Sequence, residues 1–282
     1  MKKIGFLDFF LDEWHANNYP AWIRAESEAL GLSYELGCAW AERDHPDPAA
    51  LTTDKWCEKY GAERCRSIAE LCEKSDAVLI LAPSNPEKHF SYCEQVFPRV
   101  KRVYVDKTFA PDASAAQEIF RLAEKHGTQI FSTSALRYAA ELEPYAGQSE
   151  AILTTGGGSN LEEYIIHQAE MVVKTLGTGA RAVRTESQSG QYVIRVRYDD
   201  ARAATMLYAD PLPFTAAPVP KGGSAAYLPV VSDYFRTLIR RILLFFETGE
   251  IDFGAEQTME VMRIREAVVR GKAEADEGWI PL

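Results

Sequence analysis

Three ionisable residues at helical spacing carry the clearest chemistry in the sequence. Glu163, His167 and Glu170 fall in a segment predicted to form a helix that ends at Gly177, and their spacing places them on one face. Histidine titrates near neutral pH and can accept a proton from an alcohol, while a carboxylate one turn away can fix its tautomer. The same pattern is typical of a solvated polar face, or of a metal site that still lacks an evident fourth ligand. We favour proton transfer over metal binding.

A lysine at the end of an apolar run is the second candidate. Lys107 follows "RVYVD", so it projects from the carboxyl end of a predicted strand. Beside Asp106 it can be held charged, and it can then polarise a carbonyl or orient a hydroxyl. A surface lysine paired with Asp106 explains the position equally well.

The first half of the chain alternates between short apolar runs and helical segments. The runs at 2–9, 33–40, 76–82, 102–107 and 128–133 are short and apolar, and several are continuous, which is typical of strands covered on both faces. The clearest helix follows Asp112, a good N-cap, and ends at Gly127. This alternation predicts an α/β fold with a parallel, doubly wound sheet.

The second half has a different pattern. Strand-like runs at 181–188, 191–199, 201–209 and 224–231 follow one another without helices, and two helices close the chain. The run at 191–199 alternates every second residue, so one of its faces is predicted to be buried. We therefore predict an α+β domain with an antiparallel sheet, and place the boundary near residue 135.

Ligands of open parallel sheets bind at the carboxyl ends of the strands. Applied to this chain, that rule nominates the residues that follow each predicted strand. They are Asp8 to His15; Glu42, Arg43 and Asp44; Pro83, Ser84 and Asn85; Asp106, Lys107 and Thr108; and Ser134, Arg137 and Tyr138.

Composition excludes several classes of partner. The chain of 282 residues has 41 acidic and 31 basic side chains, a net charge of −10, and no basic cluster, so nucleic acid and anionic membranes are poor partners. No apolar run approaches the roughly 18 residues of a membrane helix. Five cysteines without a C-x-x-C pair predict reduced, mostly buried thiols in a cytoplasmic protein.

Five stretches, in order along the chain, resemble the Gfo/Idh/MocA family of oxidoreductases. "SDAVLILAPSNPEKHF" is similar to the family's third strand and the segment after it, and "VKRVYVDKTFAPDASAAQEIFRLAEKHG" to its "GKHVLVEKP" strand and the next helix. "FSTSALRY" resembles the fifth strand and its turn. "GGGSNLEEYIIHQAEMVVKTLG" and "FFETGEIDFGAEQTMEVMRIREAVVRG" resemble two later helices.

The resemblance implies a Rossmann-type domain over 1–135 and an α+β domain over 136–282 with a mostly antiparallel open sheet. Such sheets often form homodimers or homotetramers. It also implies NAD- or NADP-linked oxidation or reduction of a sugar, a polyol or a related small alcohol. Lys107 matches the catalytic lysine, His167 the proton acceptor, and Glu163 the family's aspartate four residues earlier.

The remaining strand-end residues then divide into two groups. The expected cofactor-binding residues are Asp8, Phe10, Glu42, Pro83, Ser84, Asn85 and Asp106, with Glu42 near the adenosine ribose. The expected substrate residues are Trp14, His15, Arg137, Tyr138 and Glu170.

The opening loop departs most from the family pattern. Its three glycine positions hold Asp8, Phe10 and Glu13, which bring bulk and negative charge to the place of a pyrophosphate. Like-charge repulsion there is worth several kcal/mol. Pro20 predicts that the first helix starts or kinks late. In addition, Thr108 replaces the proline after the catalytic lysine, and Glu163 is one methylene longer than aspartate.

Two main hypotheses follow. In the first, the chain is an NAD(P)-dependent oxidoreductase in which Lys107 and His167 assist proton transfer. In the second, it has lost the dinucleotide, Asp12 or Glu13 sits in the anion site and caps the helix from within, and the chain is a sugar-binding, non-redox or regulatory protein.

Overall fold

The computed structural model describes residues 1–274 and 278–282, and these divide into two compact units. The N-terminal unit consists of residues 1–132 and 238–252, and the C-terminal unit of residues 133–237 and 253–282. The first break along the chain thus falls between Ser132 and Thr133. The segment 238–252 returns to the N-terminal unit.

A six-stranded parallel sheet forms the N-terminal unit, in the order β3-β2-β1-β4-β5-β6. This is the strand order of a dinucleotide-binding fold, so the predicted doubly wound sheet is confirmed. The strands are β1 (Lys2–Asp8), β2 (Tyr34–Ala41), β3 (Glu63–Arg64), β4 (Ala77–Ile80), β5 (Arg102–Val105) and β6 (Gln129–Phe131). The helices between them are α1 (Trp14–Ala29), α2 (Thr53–Tyr60), α3 (Ile68–Glu73), α4 (His89–Val96) and α5 (Ala113–His126).

Local sequence signals account for most of these elements. Every residue of β4 is buried, as expected for a strand covered on both faces. Asp112 caps α5 by accepting a hydrogen bond from Ala115 N, and Gly127 ends it in the left-handed conformation at φ 63°. The late helix start suggested by Pro20 is wrong, because α1 begins at Trp14 and runs through the proline.

A seven-stranded sheet forms the C-terminal unit, in the order β12-β11-β7-β10-β9-β8-β13. β7 and β10 pair in parallel and the other neighbours are antiparallel, which confirms the mostly antiparallel α+β half. The strands are β7 (Ser149–Gly156), β8 (Ala180–Gln188), β9 (Gln191–Tyr198), β10 (Ala203–Tyr208), β11 (Thr215–Pro220), β12 (Leu228–Pro229) and β13 (Ile280–Pro281). The helices are α6 (Leu161–Leu176), α7 (Tyr234–Thr248), which continues into the N-terminal unit, and α8 (Ala255–Glu274).

The alternation predicted around β9 is present. Ile194, Val196 and Tyr198 are buried, whereas Arg195 and Arg197 between them are exposed. The buried face packs beneath helices, since α6 contacts β7 and α8 contacts both β8 and α6. This packing fixes α6, the helix that carries His167.

All five cysteines are buried thiols, in line with the expected burial. Burial raises the pKa of Cys57 to about 11, so this thiol is protonated at neutral pH. Among the residues that the structure describes, no helix is long and apolar enough to span a membrane.

Candidate functional site

The C-terminal unit holds a buried polar group around α6, which we call the histidine cluster: Thr133, Ser134, Arg137, His167 and Glu170. Close backbone packing fixes the start of the helix. A Cβ on Gly157 would lie 2.1 Å from the carbonyl oxygen of Ala209, so only glycine fits there. Asn160 then caps α6 by accepting a hydrogen bond from Glu163 N.

His167 contacts a hydroxyl group inside this cluster. Its Nδ1 lies 2.6 Å from Ser134 Oγ, and that oxygen also accepts a hydrogen bond from Leu136 N at 3.2 Å. The rings of Tyr164 and Phe214 meet the imidazole edge-on, each with ring centroids 5.6 Å away. The histidine is 9% exposed, so its ring is held in one orientation at the margin of the buried core.

Glu170 is engaged through both carboxylate oxygens. Oε1 accepts hydrogen bonds from Thr133 Oγ1 at 2.8 Å and Ser134 N at 3.0 Å, and Oε2 accepts one from Arg137 Nη1 at 2.8 Å. Arg137 also donates to Gln257 Oε1 and stacks on the ring of Phe253, with its Cζ 3.8 Å from the centroid. These contacts hold the segment that presents Ser134 to the histidine.

The remaining expected residues of this unit lie beside the cluster. Glu163 is half-buried, and its carboxylate accepts a hydrogen bond from Asn160 Nδ2 at 3.1 Å. Tyr138 is 1% exposed and lies in the core, with Lys174 Nζ 5.9 Å from its ring centroid. By sequence, Ser134 is identified only as a strand-end residue. In the structure, its hydroxyl group contacts the catalytic candidate His167.

The N-terminal unit holds a second buried group, which we call the carboxylate cluster: Asp8, Glu13, His15 and Asp106. It lies where β1 and β5 end. Asp106 Oδ2 contacts His15 Nδ1, and Asp106 Oδ1 accepts hydrogen bonds from Tyr104 Oη at 3.2 Å and Lys107 N at 2.8 Å. Burial opposes ionisation of Asp106, but the attraction and hydrogen bond of His15 outweigh it, so its pKa is lowered.

Asp8 has the opposite electrostatic environment. Its Oδ1 accepts hydrogen bonds from Phe9 N at 2.7 Å and Ala82 N at 3.0 Å, while Oδ2 has no hydrogen-bond partner within the described residues. Burial, and then repulsion by Glu13, raise the pKa of Asp8 well above its ordinary value. A buried carboxyl group whose charged form is disfavoured therefore occupies the position of the first glycine.

Glu13 occupies the N-terminus of α1. It is the N-cap residue, and its carboxylate accepts hydrogen bonds from the amides of His15, at 2.8 Å, and Ala16. Those first-turn amides are the groups that hold the pyrophosphate in a dinucleotide-binding fold. The loop residues therefore do not fit the pyrophosphate of NAD or NADP.

The other expected cofactor residues are also placed by contacts of the N-terminal unit. Glu42 accepts hydrogen bonds from Lys88 Nζ at 2.6 Å and Tyr92 Oη at 2.7 Å. Ser84 is exposed, whereas Pro83 is buried and Asn85 half-buried. Trp14 is 52% exposed at the start of α1, with its ring centroid 5.4 Å from that of His15.

Lys107 is half-buried directly after β5, and the peptide bond that follows it is cis. His89 is fully buried, with Nε2 2.6 Å from Leu81 O and Nδ1 3.0 Å from Phe109 O. Through these carbonyls His89 connects the loops that follow β4 and β5. His15, an expected substrate residue, contacts Asp106, an expected cofactor residue.

Among the described residues, no group of three or more histidine, cysteine, aspartate or glutamate side chains is arranged to hold a metal ion. Glu163, His167 and Glu170 share a helix face in sequence, but the carboxylate oxygens of Glu170 are taken by Thr133, Ser134 and Arg137. Helical spacing alone therefore does not make this face a metal site.

Ser134 provides a direct test of the histidine cluster. Ser134→Ala removes the oxygen that serves both His167 Nδ1 and Leu136 N, so we expect a loss of about 1 kcal/mol in the free energy of unfolding, measured in urea. Ser149→Ala is the matched control, since Ser149 is also buried but its Oγ makes no hydrogen bond within the described residues. Equal effects of the two substitutions would contradict the prediction.

One family model matches part of the chain by sequence. Residues 19–134 match the sequence model of the Gfo/Idh/MocA family, described as an oxidoreductase family with an NAD-binding Rossmann fold. The match begins inside α1, after the loop of residues 8–13. Among curated proteins, no sequence matches the chain.

Solved structures match the fold over nearly the whole chain. The myo-inositol dehydrogenase of Lactobacillus casei, in complex with NAD(H) and myo-inositol, has a TM-score of 0.79 at 11% identity, covering 100% of this chain and 96% of that one. An NAD-binding oxidoreductase from Klebsiella pneumoniae has a TM-score of 0.74 at 12% identity, with 99% and 98% covered. The UDP-N-acetylglucosamine 3-dehydrogenase of Acidithiobacillus ferrooxidans has a TM-score of 0.73 at 11% identity, with 96% and 98% covered. At these identities the likeness is one of fold.

Proposed function

We propose, on the premise that residues 19–134 belong to the Gfo/Idh/MocA family of NAD-binding oxidoreductases, that the chain acts on a sugar, a polyol or a related small alcohol. One observation carries the proposal: Nδ1 of His167, the residue that the resemblance implies as proton acceptor, lies 2.6 Å from Ser134 Oγ. In this proposal His167 exchanges a proton with a hydroxyl group of the ligand.

The tautomer of His167 determines how this exchange works. When Nδ1–H donates to Ser134 Oγ, the lone pair of the neutral imidazole is on Nε2, and Nε2 can accept the hydroxyl proton. Glu170 and Arg137 act as positioning residues, because their ion pair holds the backbone that carries Ser134. Glu163, in the first turn of the same helix, is proposed to bind a second hydroxyl group of the ligand.

Two overall reactions are consistent with this proton transfer. The family match favours NAD- or NADP-linked oxidation, in which Lys107 orients the reacting hydroxyl. The Glu13 carboxylate at the N-terminus of α1 favours a reaction that needs no dinucleotide. In both, the proton is transferred at His167 and the ligand is a hydroxyl-rich small molecule.

A panel of myo-inositol, D-glucose and UDP-N-acetylglucosamine tests the proposal. Binding is measured by saturation-transfer NMR, and conversion by proton NMR with and without added NAD⁺ or NADP⁺. We expect at least one member to bind and be converted, and His167→Ala to lose conversion while His126→Ala, a half-exposed histidine on α5, retains it. Absence of binding across the panel, or equal conversion by both variants, would overturn it.

The oligomeric state is a separate proposal. The resemblance to the family supports a homodimer or homotetramer formed through the seven-stranded sheet. Light scattering of the purified chain measures the mass directly, and a monomer at micromolar concentration would refute this part.

A further inference from the structure

We infer that the N-terminal unit fills its own dinucleotide position with the loop of residues 8–13 and with Glu42, and that it binds no NAD or NADP there. The fold and strand order of this unit are those of a dinucleotide-binding domain. The groups that would contact the cofactor are instead satisfied from within the chain. This inference concerns the N-terminal unit alone: if it holds, only the reaction that needs no dinucleotide remains of the two proposed above, and the proton exchange at His167 is unaffected.

The loop is tied to its surroundings at both ends. Asp8 Oδ1 accepts a hydrogen bond from the amide of Ala82, at 3.0 Å, which joins the end of β1 to the end of β4. Asp12 accepts hydrogen bonds from Asn17 Nδ2 at 2.8 Å and from Leu51 N at 2.6 Å. These contacts hold the carboxyl groups of the loop against the end of β4, the first helix α1 and Leu51.

Glu13 takes the chemical role of the phosphate. A carboxylate and a phosphate both present anionic oxygens, and both are stabilised by first-turn amides and by the positive end of the helix dipole. The two amides that Glu13 accepts from, those of His15 and Ala16, lie in the first turn of α1. A pyrophosphate would have to displace this carboxylate to reach them.

Bulk and charge add to this exclusion. Phe10 replaces the glycine that lets pyrophosphate approach the backbone, and its ring lies against His45 with centroids 4.4 Å apart. Asp8, Glu13 and Asp106 interact with one another electrostatically. A doubly negative ligand placed there meets the negative charge of Asp106, whose pKa is lowered, in a site that excludes most water.

The ribose end of the position is also satisfied. In a dinucleotide-binding fold, an acidic residue after the second strand accepts hydrogen bonds from the ribose hydroxyls. Glu42 lies there, but Lys88 Nζ at 2.6 Å and Tyr92 Oη at 2.7 Å donate to its two oxygens. The pyrophosphate and ribose contacts are thus replaced independently, by residues from different elements.

Fluorescence titration of the full chain with NADH and NADPH tests the inference. We expect no saturable change up to about 1 mM, the concentration at which a weak site of millimolar Kd is half filled. Saturable binding of either cofactor with a Kd below about 1 mM would overturn it. Panel binding by saturation-transfer NMR on the same sample reports separately on the proposed function.

Placing glycine at the three loop positions tests whether the present residues are what prevents dinucleotide binding. The combined variant Asp8→Gly, Phe10→Gly, Glu13→Gly is expected to bind NADH at least tenfold more tightly than the parent. Glu13→Ala alone is the control: it removes the cap, lowering Tm by about 2–4 °C, yet leaves Asp8 and Phe10 in place and gains no binding. A folded triple variant that binds no better than the parent would overturn the assignment to the loop; if it does not fold, the parent titration decides.

Discussion

Glu170→Ala is expected to lower the free energy of unfolding by about 3–5 kcal/mol, the usual cost of leaving one partner of a buried ion pair without the other. Glu170 and Arg137 are 2% and 4% exposed, and their side chains meet at 2.8 Å. Removing the carboxylate leaves the guanidinium buried without its counter-charge. It also leaves Thr133 Oγ1 and Ser134 N without the acceptor that they share. Denaturant unfolding followed by circular dichroism measures the loss.

An exposed ion pair of the same unit supplies the control. Arg181 and Asp199, with side chains 61% and 72% exposed, pair at 2.5 Å, and Asp199→Ala is expected to cost less than about 1 kcal/mol. The paired substitution Arg137→Met with Glu170→Leu removes both charges, so it should recover much of the loss. The prediction fails if Glu170→Ala and Asp199→Ala have the same effect. Glu170→Gln provides a milder test if the alanine variant does not fold.

The buried ion pair of Glu170 and Arg137 connects stability to the proposed chemistry. Glu170 accepts a hydrogen bond from the backbone of Ser134, and Ser134 contacts the imidazole of His167. A change at Glu170 therefore acts on the histidine through the position of one hydroxyl. In the proposed function, this buried pair holds in place the hydroxyl group that orients His167.

The sequence predicted the fold well because its signals are local and repeat along the chain. Continuous apolar runs such as β4, and the cap and stop residues Asp112 and Gly127, each identify an element from a few neighbouring residues. Strand–helix alternation then leaves few topologies for the sheet. Short strands such as β3, which has two residues and no apolar pattern, gave no such signal.

The contacts of the candidate site were harder to predict, because they join residues far apart in sequence. His15 and Asp106 were assigned to different ligands, yet they contact each other across 91 positions. Ser134 and His167 are likewise separated by 33 positions. Residue type showed which side chains can do chemistry, but partner choice depends on how loops at strand ends converge, and no local pattern encodes that.

The opening loop shows both cases within six residues. The sequence suggests that Asp12 or Glu13 caps α1, because an N-cap contacts amides only two or three residues further along the chain. Glu13 is the residue that does so. The bond between Asp8 and Ala82 N spans 74 positions and was not foreseen. A carboxyl group in place of a glycine signals an altered loop, but only its burial and its neighbours determine whether it is charged.

The second prediction concerns Asp8 and the dependence of the free energy of unfolding on pH. Its folded-state pKa lies well above the ordinary 3.8, since burial and then Glu13 disfavour the charged form. Near pH 3 both folded and unfolded chains hold the proton, and Asp8 costs nothing. As the pH rises above about 4, the unfolded chain ionises while the folded chain keeps its proton, so stability falls until the folded-state pKa is reached.

Asp8→Asn removes this penalty, because the amide is neutral at every pH and its oxygen can still accept from Phe9 N and Ala82 N. We expect a gain in the free energy of unfolding at pH 7 that shrinks towards zero near pH 3, because the pKa of Asp8 is raised in the folded chain. Asp106→Asn should do the reverse: the pKa of Asp106 is lowered overall, burial being outweighed by His15, so its loss destabilises at pH 7 and costs less in acid. Unfolding curves from pH 3 to 8 compare the two. If Asp8→Asn leaves the stability at pH 7 unchanged or lowers it, the prediction is wrong. Asp8 would then be charged in the folded chain in spite of its burial.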